Sequence, residues 1–244
     1  MTTNLDDLPV QRGFRLRGTS VTRLETFVDA AFAFGVTMLV ISVGTVPNSV
    51  AELIAALHRL PTFAACFLLL LMFWSGHERW SRRFGLEDRA TSFLSLALVF
   101  TTLVWIYPLR MVISGGFAFV TNGWVPTEMQ VTSIDELQDC FLIYDAGFFA
   151  LSAILWALHR VALRRADELG LDATERHETR RVRAVYALQM AFAAISIALT
   201  FPARTATTSL VATLPGFVYC LMGFAVWFLE ARFDRQRARN AAPR

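Results

Sequence analysis

FAACFLLLLMFW, residues 63–74, decides the class of fold: twelve consecutive apolar residues without polar alternation. A membrane β-strand is about 10 residues long and alternates apolar with polar, so this run excludes a barrel and calls for a helix that is apolar all round. FFALSAILWAL (148–158) repeats the pattern. Outward from these two runs the chain divides into six apolar blocks near 25–45, 57–76, 91–113, 139–158, 184–203 and 208–230. Each is about 20 residues, enough to cross a hydrocarbon core of about 30 Å. Over 244 residues, 55% are hydrophobic and 18% charged, with a mean hydropathy of +0.46, more apolar than an ordinary soluble domain. The sequence predicts an all-α polytopic integral membrane protein of six transmembrane helices.

Orientation is read from the basic residues, all 23 of which are Arg. Twenty lie in the N-terminal segment (Arg12, Arg15, Arg17, Arg23), the second-to-third and fourth-to-fifth connections and the tail, against Arg59 and Arg204 on the other side. By the positive-inside rule both termini are expected in the cytoplasm. The expected organisation is a cytoplasmic arm over 1–22, a transmembrane domain over 23–231 and a basic tail over 232–244 whose RFDRQRARNAAPR has too little apolar content to pack. MTTNLDDLPVQRGFRLRGTSVTR has no apolar core and does not read as a cleavable signal.

Two connections carry more detail. Residues 114–138 form an outer loop without a basic residue, with Phe117, Phe119 and Trp124 available to the headgroup region. In the stretch 159–183 the spacing predicts a helix ending at Gly170 and a new one restarting at a capping-box-like Asp172 and Glu175. The Arg residues flank membrane spans rather than a groove-reading motif, so anionic lipid is expected and nucleic acid is not. Cys66, Cys140 and Cys220 fall in three different spans, in no metal-ligand spacing. The four His residues show no H-x-x-x-H or H-E-x-x-H spacing, and neither G-x-S-x-G nor a P-loop is present. No enzyme, metal or cofactor is expected.

The first span, RLETFVDAAFAFGVTMLVISV (23–43), is polar at one end only. At about 100° per residue, Phe27, Phe34 and Ile41 lie within roughly 20° of one another, Met38 within about 40° and Thr37 within about 60°. Glu25 and Asp29 fall about 140–180° from Phe34, on the opposite face. The stripe reads either as a pore lining or as ordinary helix packing. The second span ends in FWSGHERW, which brings His77 or Arg79 to the depth of Asp29 and Glu25, for a charge-assisted hydrogen bond or an interfacial cluster. Arg110 and Asp145, the two charges clearly within spans, are expected to pair near the outer ends of the third and fourth helices.

A first helix that opens on Arg23, Phe27 and Asp29 and continues AAFAFGVTMLV, followed by a second with Trp74 and His77 near its end, resembles the bacterial six-helix branch of the transmembrane protein 175 family, the lysosomal potassium channel. The motifs cover about 50 residues. Val28 replaces a family serine, Phe34 an isoleucine, and Glu78 stands where a second histidine would. The resemblance implies a potassium-preferring cation channel of a bacterial cytoplasmic membrane, built from four identical chains whose first helices surround the axis. By position it assigns the constriction to Phe34, with Met38 and Ile41 above it, and a polar pore-lining role to Thr37. It also implies that Arg23, Phe27, Asp29, Trp74 and His77 hold the first two helices together. Potassium ions and the bilayer are the implied partners. The rivals are a small-molecule or proton-coupled transporter, for which Asp145 with Gln189 is the one hint, and a non-transporting membrane scaffold.

Overall fold

The structure, a computed structural model, describes residues 7–11, 13–41 and 47–241, with side chains to Arg235. Arg12, residues 42–45 of the first expected span and the last three residues of the tail lie outside the described residues. A short antiparallel ribbon, β1 (Val10–Gln11) with β2 (Phe14–Arg15), pairs Val10 with Arg15 and Gln11 with Phe14. The helices follow as α1 (Arg23–Ile41), α2 (Val50–Leu57), α3 (Leu60–Phe84), α4 (Arg89–Val120), α5 (Ile134–Arg164) and α6 (Ala173–Ala203). Last come two single turns, α7 (Ser209–Ala212) and α8 (Leu214–Phe217), a 3-10 turn (Val218–Leu221) and α9 (Met222–Ala241). Among the described residues six segments are long and apolar enough to cross a membrane: α1, α3, α4, α5, α6 and the run 214–235.

Local sequence sets several of these starts through a Ser, Thr or Asp followed three residues later by Glu. At α1, Thr22 Oγ1 accepts from the Glu25 backbone N–H at 3.2 Å and Glu25 accepts from the Thr22 N–H at 2.8 Å. Ser49 with Glu52 and Ser133 with Glu136 cap α2 and α5, and Asp172 with Glu175 forms a full capping box at α6. That box and the turn at Gly170 stand where the sequence put them.

The helices outrun the apolar blocks. α3 runs on through the charged HERWSRRF, and α6 begins with ATERHETRRVR, because a helix need not stop where the hydrocarbon does. The expected loop 114–138 is shortened at both ends, since α4 extends to Val120 and α5 starts at Ile134. The tail expected not to pack continues α9 through Ala241, with the Phe233 ring 5.4 Å from His177. The sixth span is interrupted: Pro215 opens one turn and a 3-10 segment precedes α9.

The core lies where α4, α5 and α3 meet. Trp105 is buried, its Nε1 donates to the Tyr144 carbonyl at 3.0 Å, and its ring meets those of Phe73, Tyr144 and Phe148. A glycine at 147 is required there, since a Cβ would come within 2.2 Å of Trp105 Cδ1. The described N-terminal segment and the later part of α9 meet the same end of the bundle, at Phe84, Asp172 and His177. The N-terminal segment is packed into it: Phe14 is buried, edge-on to Phe84 at 5.5 Å, with the Arg83 guanidinium 4.7 Å from its ring. At Gly85, left-handed at φ 57, a Cβ would come within 3.0 Å of the Arg17 backbone, so glycine lets the chain after α3 run close against that segment.

Candidate pore-lining face and the contacts that orient it

Helix α1 has two sharply different faces. Val28, Phe32, Gly35 and Leu39 are buried against α3 and α4, with Gly35 close to Ile106 and Leu103. Val28 is fully buried, so the residue that replaces the family serine is a packing residue here. Away from this face Phe27, Phe34 and Ile41 are 52%, 56% and 65% exposed, Thr37 is exposed and Met38 half-buried. The Thr37 hydroxyl donates to the Ala33 carbonyl at 3.0 Å, which leaves its lone pairs on the exposed side. Half of a spanning helix thus presents large apolar groups and the hydroxyls of Thr26 and Thr37 to whatever adjoins this chain.

The polar groups of α1 hold it to α3. Asp29 accepts a hydrogen bond from Trp74 Nε1 at 2.7 Å, and Glu25 accepts one from the Ser81 hydroxyl. Trp74 and Ser81 are seven residues apart, which at about 100° per residue returns to within roughly 20° of one face. This corrects the expectation that His77 or Arg79 meets those carboxylates. His77 is rotated by about 60° from Trp74, is buried, and bonds Ser95 of α4 at 2.9 Å through Nε2. Arg79 folds back on the Ser75 carbonyl at 2.9 Å. Of the five residues assigned to the link between the first two helices, Asp29 and Trp74 are joined. Arg23 and Phe27 are exposed instead.

The expected pair of Arg110 with Asp145 is not formed. Arg110 meets Glu128, which folds back from the α4–α5 connection with its backbone N–H donating to Ser114 at 3.2 Å. Arg59 lies 4.0 Å from the same carboxylate. A long guanidinium near a helix end reaches a half-buried loop carboxylate more readily than one on the far side of the next helix. Asp145 is fully buried and turned toward α6 and the interrupted sixth span, where it accepts from Ser196 Oγ and Tyr219 Oη, each at 2.6 Å. Ser196 is also 2.9 Å from the Pro215 carbonyl, so the broken span is anchored at its break. Gln189 is elsewhere, bonded to Ser152 at 3.2 Å. Pairing by depth alone missed these contacts, and the only sequence signal for them was Pro215-Gly216 in the sixth apolar block.

The described residues contain no group of His, Cys, Asp and Glu able to hold a metal ion. What the fold and these contacts define is a multi-pass helical membrane protein whose first helix is packed on one face and exposed on the other.

Comparison with known proteins makes the class particular. Residues 23–108 match the family model described as endosomal/lysosomal potassium channel TMEM175. A potassium channel of Marivirga tractuosa is 29% identical over 219 residues, covering 85% of each chain. The fold is similar to a crystal structure of the potassium channel MtTMEM175, a threonine-to-alanine variant bound to a nanobody fusion, with a TM-score of 0.77 and 26% identity over 94% of this chain and 100% of that one. A lysosomal potassium-selective channel TMEM175 homolog from Chamaesiphon minutus shares the fold, at a TM-score of 0.54 and 18% identity over 86% and 96% of the two chains. The chain resembles the transmembrane protein 175 family over residues 23–108 and in its fold, as the motifs of its first two helices implied.

Proposed function

We propose that this protein is a potassium-preferring cation channel, assembled from four copies whose first helices line the pore, with Phe34 as its narrowest ring. The observation that carries the reading is the exposed face of α1. Phe27, Phe34, Thr37 and Ile41 face outward from a helix whose other side is packed and tied to α3 through Asp29 and Trp74. Apolar rings of this kind gate by excluding water, and a threonine hydroxyl near the ring offers oxygen in place of hydration. The choice of potassium draws on what the relatives are named to conduct. Purified protein in a planar bilayer under opposed potassium and sodium gradients is expected to carry a current that reverses on the potassium side. Reversal on the sodium side, or a flux that saturates with solute and follows a pH gradient, would replace the channel with the transporter reading.

We infer also that both termini face the cytoplasm of a bacterial cell, from the concentration of Arg at the end of the bundle that the N-terminal segment and the later part of α9 meet. A reporter after Arg244 is expected inside, and one inserted at Asn122, in the turn after α4, outside. An Asn122 reporter found inside sinks this orientation.

A further inference from the structure

On the outer side of the α5–α6 pair, at the end of the bundle that the N-terminal segment and the later part of α9 meet, lies an open hollow of about 350 Å³ lined by Arg160, Arg164, Arg176, Arg180 and Arg183. Guanidinium groups gathered this closely repel one another unless something negative lies between them. Among the described residues only Arg176 has a carboxylate, Asp167 at 2.6 Å, and that carboxylate is almost fully exposed. Arg164 and Arg180 are exposed and form no salt bridge with described residues. Arg160 and Arg183 are arranged about one indole, their guanidinium carbons 5.3 Å and 5.9 Å from the Trp156 ring. The pocket is therefore shaped and held by packing, but among the described residues its charge is answered only by Asp167 at Arg176.

We propose that this hollow binds the phosphate headgroup of an anionic phospholipid. Forked guanidinium donors match phosphate oxygens, and a tryptophan body suits the boundary between headgroup and hydrocarbon. What distinguishes lipid from a soluble phosphate is the surface next to it. On the helical stripe of Arg180 and Arg183, α6 continues into Ala187, Ala191, Ala194 and Ile195, all exposed and all within its membrane-crossing length. An acyl chain would lie along that track while the headgroup sits among the arginines. The site is separate from the α1 face and does not depend on what the protein conducts.

The test uses the full chain in neutral detergent, titrated with short-chain phosphatidylglycerol while thermal unfolding is followed. Phosphatidylcholine of the same chain length and inorganic phosphate are the comparison arms. Phosphatidylglycerol is expected to stabilise in a saturable way and the other two are not. Arg164→Gln with Arg180→Gln should weaken that apparent affinity by about thirtyfold. Arg82→Gln with Arg89→Gln, equal in charge and at the same end of the bundle, should leave it unchanged. Both pocket side chains are exposed and form no salt bridge with described residues, so folding should survive their loss; Arg164→Gln alone, with lipid retained in native mass spectrometry as the readout, applies the same criterion. The proposal is overturned if inorganic phosphate reproduces and competes for the effect, which makes it a free-anion site. It is overturned equally if phosphatidylcholine matches phosphatidylglycerol, or if the pocket and control variants behave alike.

Discussion

Phe34→Asn is expected to raise the resting potassium current strongly and to reduce discrimination between potassium and sodium, with Phe34→Ala doing the same to a smaller degree. Four phenyl rings around an axis would leave a passage that water abandons, and a dry passage is a barrier to any hydrated cation. An amide at that position holds water and wets the constriction, whereas alanine only widens it. The effect is large because rate depends exponentially on barrier height: about 1.4 kcal/mol is already tenfold. Phe32 is the internal control. It is the same residue type two positions away, but only 4% exposed on the face packed against α3 and α4. Phe32→Ala should cost about 3–5 kcal/mol through the cavity it leaves, without opening a leak. Phe34 is 56% exposed in the single chain, so its truncation should cost the fold little. Bilayer recordings together with a mass measurement of the assembly decide the matter. Phe34→Asn that stays silent while folded and tetrameric would falsify the gate.

The number of spans was legible because a helix crossing lipid has no alternative to a long apolar run, and runs such as 63–74 admit one reading. The two faces of α1 were legible for a related reason. A period of 3.6 separates Phe34 from Phe32 by about 160°, and only one of them can pack. The restart at Asp172 was legible because a capping box is local chemistry. The missed contacts depend on parts of the chain with no period. Arg110 found Glu128 through the path of an irregular connection, and Asp145 found Tyr219 because the sixth span breaks at Pro215. Depth along a helix put His77 or Arg79 near Asp29 and Glu25, but direction decides the contact: Trp74, about 60° from His77 on α3, is the residue that faces Asp29. The packed N-terminal segment was the least legible, because the alternation in FRLR spans only four residues and does not say what it docks against, so its order comes from what it touches.

That segment is the subject of the second large effect: Arg17→Ala is expected to destabilise the protein by about 3–5 kcal/mol. Glu175 is completely buried, and Arg17, itself nearly so, meets it at 2.9 Å. The same guanidinium donates to the Leu169 carbonyl at 2.9 Å, and the Arg15 backbone N–H donates to Glu175 at 2.8 Å. Ion pairs of Arg17 and Arg15 with Glu175, and of Arg15 with Asp172, therefore tie the chain before α1 to the turn between α5 and α6, two regions far apart in sequence. Removing the Arg17 guanidinium leaves a fully buried carboxylate with only the longer Arg15 contact, at 3.6 Å, to answer its charge, and that desolvation is where the cost arises. Replacing both residues by methionine removes the stranded charge as well, so the double variant should be more stable than the sum of the single changes predicts. Asp172 beside it behaves differently. The hydrogen bond from the Glu175 backbone, then the Arg15 guanidinium, holds its half-exposed carboxyl below the ordinary range. Its contribution is complete above a pH of about 4 and fades as pH falls through the lowered value. Thermal unfolding in detergent near neutral pH therefore isolates the Arg17–Glu175 link from Asp172. Additive single and double variants, or a loss below about 1 kcal/mol for Arg17→Ala, would show that the link is no stronger than a surface pair.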